Sequence, residues 1–370
     1  GPPSHPPRVG PPPPHPGPPL HHISARGGRG HHSVAGETIA RDLAARIGFD
    51  RTDTAVVATV VRHHLLLVET ATRRDLDDPA TVQSVAGAVG SLGTLELLHA
   101  LTEADALATG PAAWSSWRAS LVADLVKRVA GVLTGAPLPD PEAAAPSAEQ
   151  ERLAMEALRT GEPVLALHAR DEQPVDEERP EPVGVELLIA LPDRPGVLPA
   201  VAGVLALHRL TVRAADLRAV ELPGGLGSGP VLVLDWRVAA EYGSLPEAAR
   251  LRADLVRALD GSLDIPARLA EREAAYPRRR GLAAPPPRVT VAPADSRLAT
   301  VIEVRAQDAP GLLHRIGRAL EGAAVRVRSA HVSTLGANAV DTLYVTRPDG
   351  SLLPDEEAID LARALEEALR

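Results

Sequence analysis

The spacing of apolar residues divides the chain into a helical half and a half that mixes strands with helices. From residue 33 to residue 136, apolar side chains recur every three to four positions, which is typical of amphipathic helices. This half is therefore predicted to be a helical bundle. Its predicted helices are Thr38–Ile47, Thr54–Val68, Asp78–Val89, Gly93–Ala108 and Trp114–Leu133, and a short helix is expected from Glu151.

Beyond residue 183 the pattern reads strand, helix, strand, strand, helix, and it does so twice. One further strand would complete a ferredoxin-like βαββαβ plan, and Val289–Val291 is predicted to be the last strand of the first copy. In order, the copies are Val185–Ala190, Gly196–Leu207, Thr211–Val220, Val231–Val238 and Leu245–Leu259, then Thr300–Arg305, Gly311–Leu320, Val325–Ser333, Ala339–Arg347 and Asp355–Leu369.

A short phrase marks the start of the first helix in both copies. The run Asp193-Arg194-Pro195-Gly196-Val197-Leu198 recurs 115 positions later as Asp308-Ala309-Pro310-Gly311-Leu312-Leu313. One interpretation is a helix start, with Asp as the cap and Pro in the first turn. A second interpretation adds a ligand, because a helix N-terminus can hold a carboxylate and glycine lets it approach the backbone.

Composition narrows the functional classes. The chain of 370 residues has a net charge of −9, which argues against binding nucleic acid through phosphate contacts. It has no cysteine, and therefore neither disulfides nor a thiolate metal site. No apolar run reaches the length of a membrane span, and no signal-peptide pattern begins the chain. We expect a cytoplasmic protein with neither a nucleic acid nor a membrane as partner.

Histidines and carboxylates in the helical half suggest metal-dependent hydrolysis. The pair His63-His64 is followed by a polar run that contains Arg73 and Arg74, and Asp105 lies on a later predicted helix. Imidazole and carboxylate ligands hold divalent ions that activate water against a phosphodiester, and a pair of arginines can clamp a phosphate. For any single histidine a surface or core position is the alternative, and for the arginines it is a salt-bridged helix end.

The second half resembles the ACT domain over residues 183–275 and 298–370. The second copy carries the resemblance best, in DAPGLLHRIGRAL and SAHVSTLGANAVDTLYV. The resemblance implies that amino acids bind where two copies meet. The residues it implies for this site are Asp193, Arg194, Pro195 and Gly196 in the first copy and Asp308, Pro310, Gly311 and Leu312 in the second.

The helical half resembles an HD-type phosphohydrolase domain. Its phrases RHHLLLVETATRRDLDDPATV and LTEADALATGPAAW, with tandem ACT domains after them, are similar to the C-terminal half of the PII uridylyltransferase/uridylyl-removing family. That resemblance implies removal of nucleotide from the PII signal protein, with glutamine as effector and magnesium or manganese as cofactor. It implies metal ligands at His21, His32, His63, His64 and Asp105. The predicted catalytic residues are His64, Arg73 and Arg74.

The sequence departs from this family in two ways. Where the family has a His-Asp doublet the chain has His21-His22, and a neutral imidazole cannot bridge two cations as a carboxylate does. No nucleotidyltransferase motif is present in the chain. We therefore expect a truncated member of the actinobacterial type, acting on uridylyl or adenylyl groups, with a weakened metal site and an impaired hydrolase.

The predicted fold class is multidomain, α and α+β, with an all-α HD-type domain followed by two ferredoxin-like ACT domains. One alternative function is a non-catalytic module that senses an amino acid and binds PII. Another is an alarmone hydrolase, against which two adjacent ACT copies argue. The predicted divisions are a Pro-rich disordered tail 1–19, the HD-type domain 20–136, a linker 137–182, the first ACT domain 183–275, a linker 276–297 and the second ACT domain 298–370.

Overall fold

The computed structural model describes residues 29–110, 113–138, 145–169, 184–220, 230–240, 245–275, 285–292, 296–335 and 338–370. The predicted tail, His21 and His22 lie outside these residues, and of His32 only the backbone is described. The helices are α1 Arg29–Ile47, α2 Arg51–Arg62, α3 Leu66–Arg73, α4 Pro79–Val89, α5 Leu92–Thr109, α6 Ser116–Leu133, α7 Ala148–Thr160, α8 Val197–Leu207, α9 Ala248–Leu259, α10 Ile265–Ala275, α11 Leu312–Gly322 and α12 Asp355–Ala368.

The strands of the described residues form a single antiparallel sheet of eight in the order β1-β2-β4-β3-β7-β8-β6-β5. The coarse prediction of helices followed by α+β units is confirmed. The strands are β1 Val164–Ala169, β2 Gly184–Pro192, β3 Leu210–Val220, β4 Val231–Ala240, β5 Arg288–Ala292, β6 Thr300–Gln307, β7 Arg326–Leu335 and β8 Asn338–Thr346.

Helices α1 to α6 make the helical unit. Four of them begin at a polar residue whose side chain accepts a hydrogen bond from a backbone N–H of the first turn. These N–H groups have no acceptor within the helix itself. These caps are Asp50, Asp78, Ser91 and Ser115. The apolar faces meet in a core that includes fully buried leucines and valines of α3 to α6. Burial of each such side chain contributes roughly 1.5–3 kcal/mol.

The predicted helix Thr54–Val68 is wrong as a single helix. Helix α2 ends at Arg62, a turn covers residues 63–65, and α3 begins at Leu66. The turn redirects the chain so that Leu67 and Ala71 enter the core of the helical unit. Neither glycine nor proline marks the break, so packing overrides the local helical pattern.

Each strand–helix unit receives its fourth strand from the chain that precedes it. Strand β1 pairs with β2, and β5 pairs with β6. The prediction that Val289–Val291 closes the first copy is therefore wrong, because β5 belongs to the second. The predicted linkers 137–182 and 276–297 are likewise not free of structure, since they contain α7 with β1 and β5.

The two faces of the sheet are covered by different helices. Alternate residues of β2, such as Leu187 and Ile189, enter the core beneath α8 to α12, whereas Leu188 and Ala190 face α7. On the face of the sheet that α7 covers, the helical unit also contacts β7 and β8 through α3. The sheet is thus a middle layer, and its central strands touch both the packed helices and the helical unit.

The two copies share backbone irregularities as well as sequence. Arg209 and Ala324, 115 positions apart, both adopt positive φ, at 59° and 55°. A bulge interrupts β3 between Val212 and Ala214, and another interrupts β7 between Val327 and Ser329. Conformations that cost free energy at matching positions indicate a duplicated unit.

Within the described residues, no single helix is both long and apolar enough to cross a bilayer. Helices α4 and α5 meet those conditions only when taken together, and they are bent by 98° at their junction.

Candidate functional site

The two copies join edge to edge in the middle of the sheet. Strands β3 and β7 pair antiparallel at Ala214 with His331, Ala215 with Ala330 and Asp216 with Ser329. Above this junction α8 packs against α11, and the His314 ring contacts the carbonyl of Pro199, the residue 115 positions earlier, at 2.7 Å. The junction therefore places the repeated loop of each copy against the other copy.

Both repeated loops end in a glycine whose backbone conformation is unfavourable for residues that have a side chain. Gly196 has φ 86° and Gly311 has φ 80°, and each is the N-cap of the helix that follows. Among the described residues no side chain caps α8 or α11. The interpretation of Asp as a cap is thus wrong: Asp193 pairs with Arg326 at 3.2 Å, and Asp308 accepts from Thr334 at 3.3 Å. In α11 the N–H of Leu312 donates to the carbonyl of Ala309, and no described side chain occupies the other first-turn N–H groups of α8 and α11.

The loop of the first copy lines an open groove. The groove has a volume of about 930 Å³ and contains all four residues predicted there, together with residues of α11 and β7 from the second copy. Its polar lining has both signs of charge, with Glu321 opposite Gly196 and Arg326 on Asp193. Arg194 reaches away to donate to the carbonyl of Leu259.

The loop of the second copy lines a smaller cavity of about 200 Å³. All four residues predicted there, Asp308, Pro310, Gly311 and Leu312, lie on its wall. Residues of the first copy close the other side, and α10 forms part of the rim. A methyl group at Gly311 would lie 2.5 Å from Cδ1 of Leu269, so α10 packs directly on the loop.

Asp341 of β8 also lines this smaller cavity, and the sequence prediction missed it. The side chain is only 1% exposed, and its Oδ1 has no hydrogen-bond partner among the described residues. Burial, aided by the nearby Asp308 carboxylate, raises the pKa of Asp341 to about 8. The available signal was an acidic residue within the apolar strand pattern AVDTLYV.

The histidine pair lies at the turn between α2 and α3. Both rings are half-buried, and Nδ1 of His64 lies 2.9 Å from the carbonyl of Val61. Burial lowers the pKa of His63, which keeps its ring neutral and suited to a ligand role. Asp105 lies near the end of α5, and the side chains of His21 and His32 are not described.

A metal centre is not assembled by the described residues alone. No three His, Asp or Glu side chains within the described ranges come together as a metal-binding group, so His63, His64 and Asp105 do not form one by themselves. We therefore assign no catalytic step through a metal, and the ligand set stays a prediction.

The two arginines predicted to clamp a phosphate lie in different surroundings. Arg73 pairs with Glu69 one turn earlier, at 3.6 Å. Arg74 instead lines a cavity of about 480 Å³ between the helical unit and the sheet. The same cavity is lined by Trp117 and His331, which lie on α6 and β7. A shared clamp by both arginines stays a prediction.

The helical unit touches the sheet through the residue that follows Arg74. Ser329 of β7 donates to the Asp75 carboxylate at 3.1 Å, and the backbone N–H of Asp75 donates to the Tyr344 hydroxyl at 2.9 Å. Burial raises the pKa of Asp75 above its ordinary value. Burial likewise raises the pKa of Tyr344 to about 12. The chain after the histidine pair is thus bonded to the junction of the two copies.

Comparison with known proteins identifies the domain family of the second copy. Residues 300–367 match the model of the ACT domain, so the chain carries an ACT domain in its second copy. No solved structure matches the chain.

The resemblance to uridylyl-modifying enzymes is confirmed by curated relatives that match nearly the whole chain. The chain is 72% identical to the bifunctional uridylyltransferase/uridylyl-removing enzyme of Streptomyces coelicolor, over 95% of the chain and 45% of that enzyme. Identity is 37% to the enzyme of the same name from Mycobacterium tuberculosis, over 89% of the chain and 39% of that enzyme. It is 33% for Rhodospirillum rubrum, over 88% of the chain and 38% of that enzyme. The chain spans less than half the length of these relatives.

Proposed function

We propose that this chain is the sensing and uridylyl-removing part of a nitrogen-status regulator that acts on the PII protein. In this proposal the two sheet units are paired ACT domains that bind glutamine. The helical unit is an HD-type phosphodiesterase domain that removes a uridylyl or adenylyl group from PII. The similarity to bifunctional uridylyltransferase/uridylyl-removing enzymes over nearly the whole chain supports this assignment.

The observation that carries the sensing role is the position of the two repeated loops. Each lies against the opposite copy, at a groove or cavity that both copies line. A ligand bound there touches both copies at once, so its binding free energy depends on how they are packed. That dependence is what a sensor requires, because a ligand shifts an equilibrium only through its different affinity for two states.

The chemistry of the loops suits an amino acid. The uncapped N-termini of α8 and α11 present N–H donors for a carboxylate. Acidic side chains beside both loops, Asp193 with Glu321 and Asp308 with Asp341, suit an ammonium group. Glutamine is the amino acid proposed, from the resemblance to the PII-modifying family.

The hydrolase role rests on the similarity and on the residues around the histidine pair. His64, Arg73 and Arg74 are the proposed catalytic residues, and His21, His32, His63, His64 and Asp105 are the proposed ligands of magnesium or manganese. A bound divalent ion would supply an activated water. Because His22 stands where the family has the bridging aspartate, we propose that the hydrolysis is weak. We also propose that the protein acts in the cytoplasm.

Calorimetric titration of the full chain with glutamine tests the sensing role. We expect saturable binding of glutamine, with asparagine and glutamate as matched controls that bind more weakly. Absence of heat with glutamine, together with an unchanged melting temperature, would overturn the sensing role.

Release of nucleotide from modified PII tests the hydrolase role. We expect slow release that needs manganese or magnesium, responds to glutamine and is abolished by His64→Ala. Glutamine binding without any metal-dependent release would instead favour a non-catalytic sensor that contacts PII.

A further inference from the structure

The smaller cavity is lined by a carboxyl group with one oxygen that no described residue hydrogen-bonds. Asp341 is 1% exposed, and its Oδ1 accepts no hydrogen bond from any described residue. An unsatisfied carboxylate in a protein interior costs several kcal/mol when it is ionised, unless a cation or donor reaches it. Asp341 is among the residues that line the cavity, so a molecule bound there lies next to this carboxyl group.

A second acidic side chain stands at the same cavity. Asp308 belongs to the repeated loop, and its carboxylate is close enough to raise the pKa of Asp341. Two neighbouring carboxylates that repel each other are stabilised together by one cation bound beside both. An ammonium group has three donors, which suits a site with several carboxylate oxygens.

Groups that favour a negative charge line the same cavity. It holds the uncapped N-terminus of α11, and Arg209 and Arg272 also line the cavity. Helix N-termini and guanidinium groups both favour a carboxylate. A cavity of about 200 Å³ whose lining includes both acidic and basic side chains matches a molecule smaller than a typical drug that carries both charges.

We infer that the amino-acid site is the cavity of the second copy, and that Asp341, together with Asp308, binds the ammonium group of the ligand. The ligand carboxylate then lies at the N-terminus of α11. This inference rests on the proposed sensing role and deepens it, because it selects one of two candidate sites and names the residue that recognises a free α-amino group.

The first copy lacks the equivalent carboxylate. In the strand pairing Val332 lies opposite Asp341, and the matching pair of the first copy is Leu217 opposite Leu234. Leu234 is fully buried, so this position carries no charge beside the larger groove. The groove of about 930 Å³ is also far larger than an amino acid requires. The two copies are thus unequal, and one amino acid per chain is expected.

Calorimetry with glutamine and with its analogue that lacks the α-amino group (the monoamide of glutaric acid) tests the inference. The unaltered chain should bind glutamine at least about tenfold more tightly than this analogue, with one molecule per chain. Asp341→Asn should weaken glutamine binding by about 10- to 100-fold and should leave binding of the analogue within about threefold.

Three variants make the result specific. Asp341→Leu reproduces the residue of the first copy and should behave as Asp341→Asn does. Asp360→Asn removes an exposed acid of α12 and should change nothing. Asp193→Asn, in the loop of the first copy, tests the other candidate site, and a loss of glutamine affinity confined to this variant would place the ligand in the larger groove. Circular dichroism confirms that each variant is folded.

The outcomes separate this inference from the proposed function. Unchanged glutamine affinity in Asp341→Asn, or a loss confined to Asp193→Asn, would overturn the inference and leave the sensing role intact. If another amino acid binds in place of glutamine and Asp341→Asn weakens it, the inference stands and the glutamine assignment fails. If no amino acid binds, both fail.

Discussion

At the scale of single residues, Asp341 lowers the free energy of unfolding when its buried carboxyl group is ionised. A carboxyl group inside a sheet is stable when protonated and unfavourable when ionised. Its pKa is raised to about 8, and the charged groups that line its cavity are Asp308, Arg209 and Arg272.

Replacing Asp341 by Asn should stabilise the chain, and more so at high pH. The folded chain holds this proton up to about pH 8, whereas the unfolded chain releases it near pH 4. The free energy of unfolding therefore falls between these pH values in the unaltered chain and not in the variant. Urea unfolding should show a larger gain for Asp341→Asn at pH 8 than at pH 5. An equal effect at both pH values would contradict the assigned cause.

The affinity for glutamine should depend on whether the Asp341 carboxyl group is protonated. Binding of an ammonium group favours the ionised form of Asp341, so the bound chain releases a proton that the free chain holds. Affinity should therefore rise between pH 6 and pH 8 and stay level in Asp341→Asn. Titrations in buffers of different ionisation enthalpy measure the proton released, and none released at pH 7 would be inconsistent with this linkage.

At the scale of elements, the contact of α8, α10 and α11 decides how the two copies fit. Gly203 of α8 faces this contact: a methyl group there would lie 2.6 Å from Cγ2 of Ile265 and 2.9 Å from Nδ1 of His314. His314 is itself held by the carbonyl of Pro199. Ile265 and His314 therefore fill the space next to Gly203.

Gly203→Ala should destabilise the chain by about 1–3 kcal/mol, because an added methyl group must displace packed neighbours. The matched control is Gly87→Ala in α4, where a methyl group meets nothing within 4 Å. That control should stabilise by roughly 0.5–1 kcal/mol, since alanine favours helix. Urea unfolding of the two variants measures the difference, and equal stability would refute tight packing at Gly203.

Local patterns predicted most elements of the fold because they are amphipathic with a clear period. The repeated loops were predicted in the same way, and the structure places each of them at a cavity between copies. Strand β5 was assigned to the wrong copy, since pairing with β6 is a long-range choice that alternation does not encode. Asp341 was missed because its role depends on which strand face lines the cavity, and sequence spacing alone does not show that.

At the scale of the whole molecule, the helical unit and the sheet are joined at Asp75. Arg326 and Arg328 of β7 line the groove of the first copy, and Ser329, the next residue, donates to Asp75. The Asp75 loop follows α3, which begins just after His63 and His64. One strand therefore touches both a candidate ligand groove and the region of the candidate hydrolase site.

Tyr344→Phe should loosen this joint. Without the hydroxyl the buried backbone N–H of Asp75 loses its acceptor, at a cost of about 1–3 kcal/mol. Amide hydrogen exchange should become faster over residues 66–78, with little change in α12. Ser120→Ala, which removes an exposed hydroxyl on α6, is the control and should leave exchange unaltered. Unchanged exchange over residues 66–78 in Tyr344→Phe would show that this contact does not hold the units together.

The junction of β3 with β7 also sets how the paired units respond to dilution. Two copies on separate chains would come apart as the protein became scarce, and any site between them would be lost in proportion. Here both belong to one polypeptide, and a tether keeps its ends at an effective concentration of about a millimolar or more, whatever the amount of protein. A cell that makes few copies of this chain therefore retains the same threshold for the small molecule as a cell that makes many.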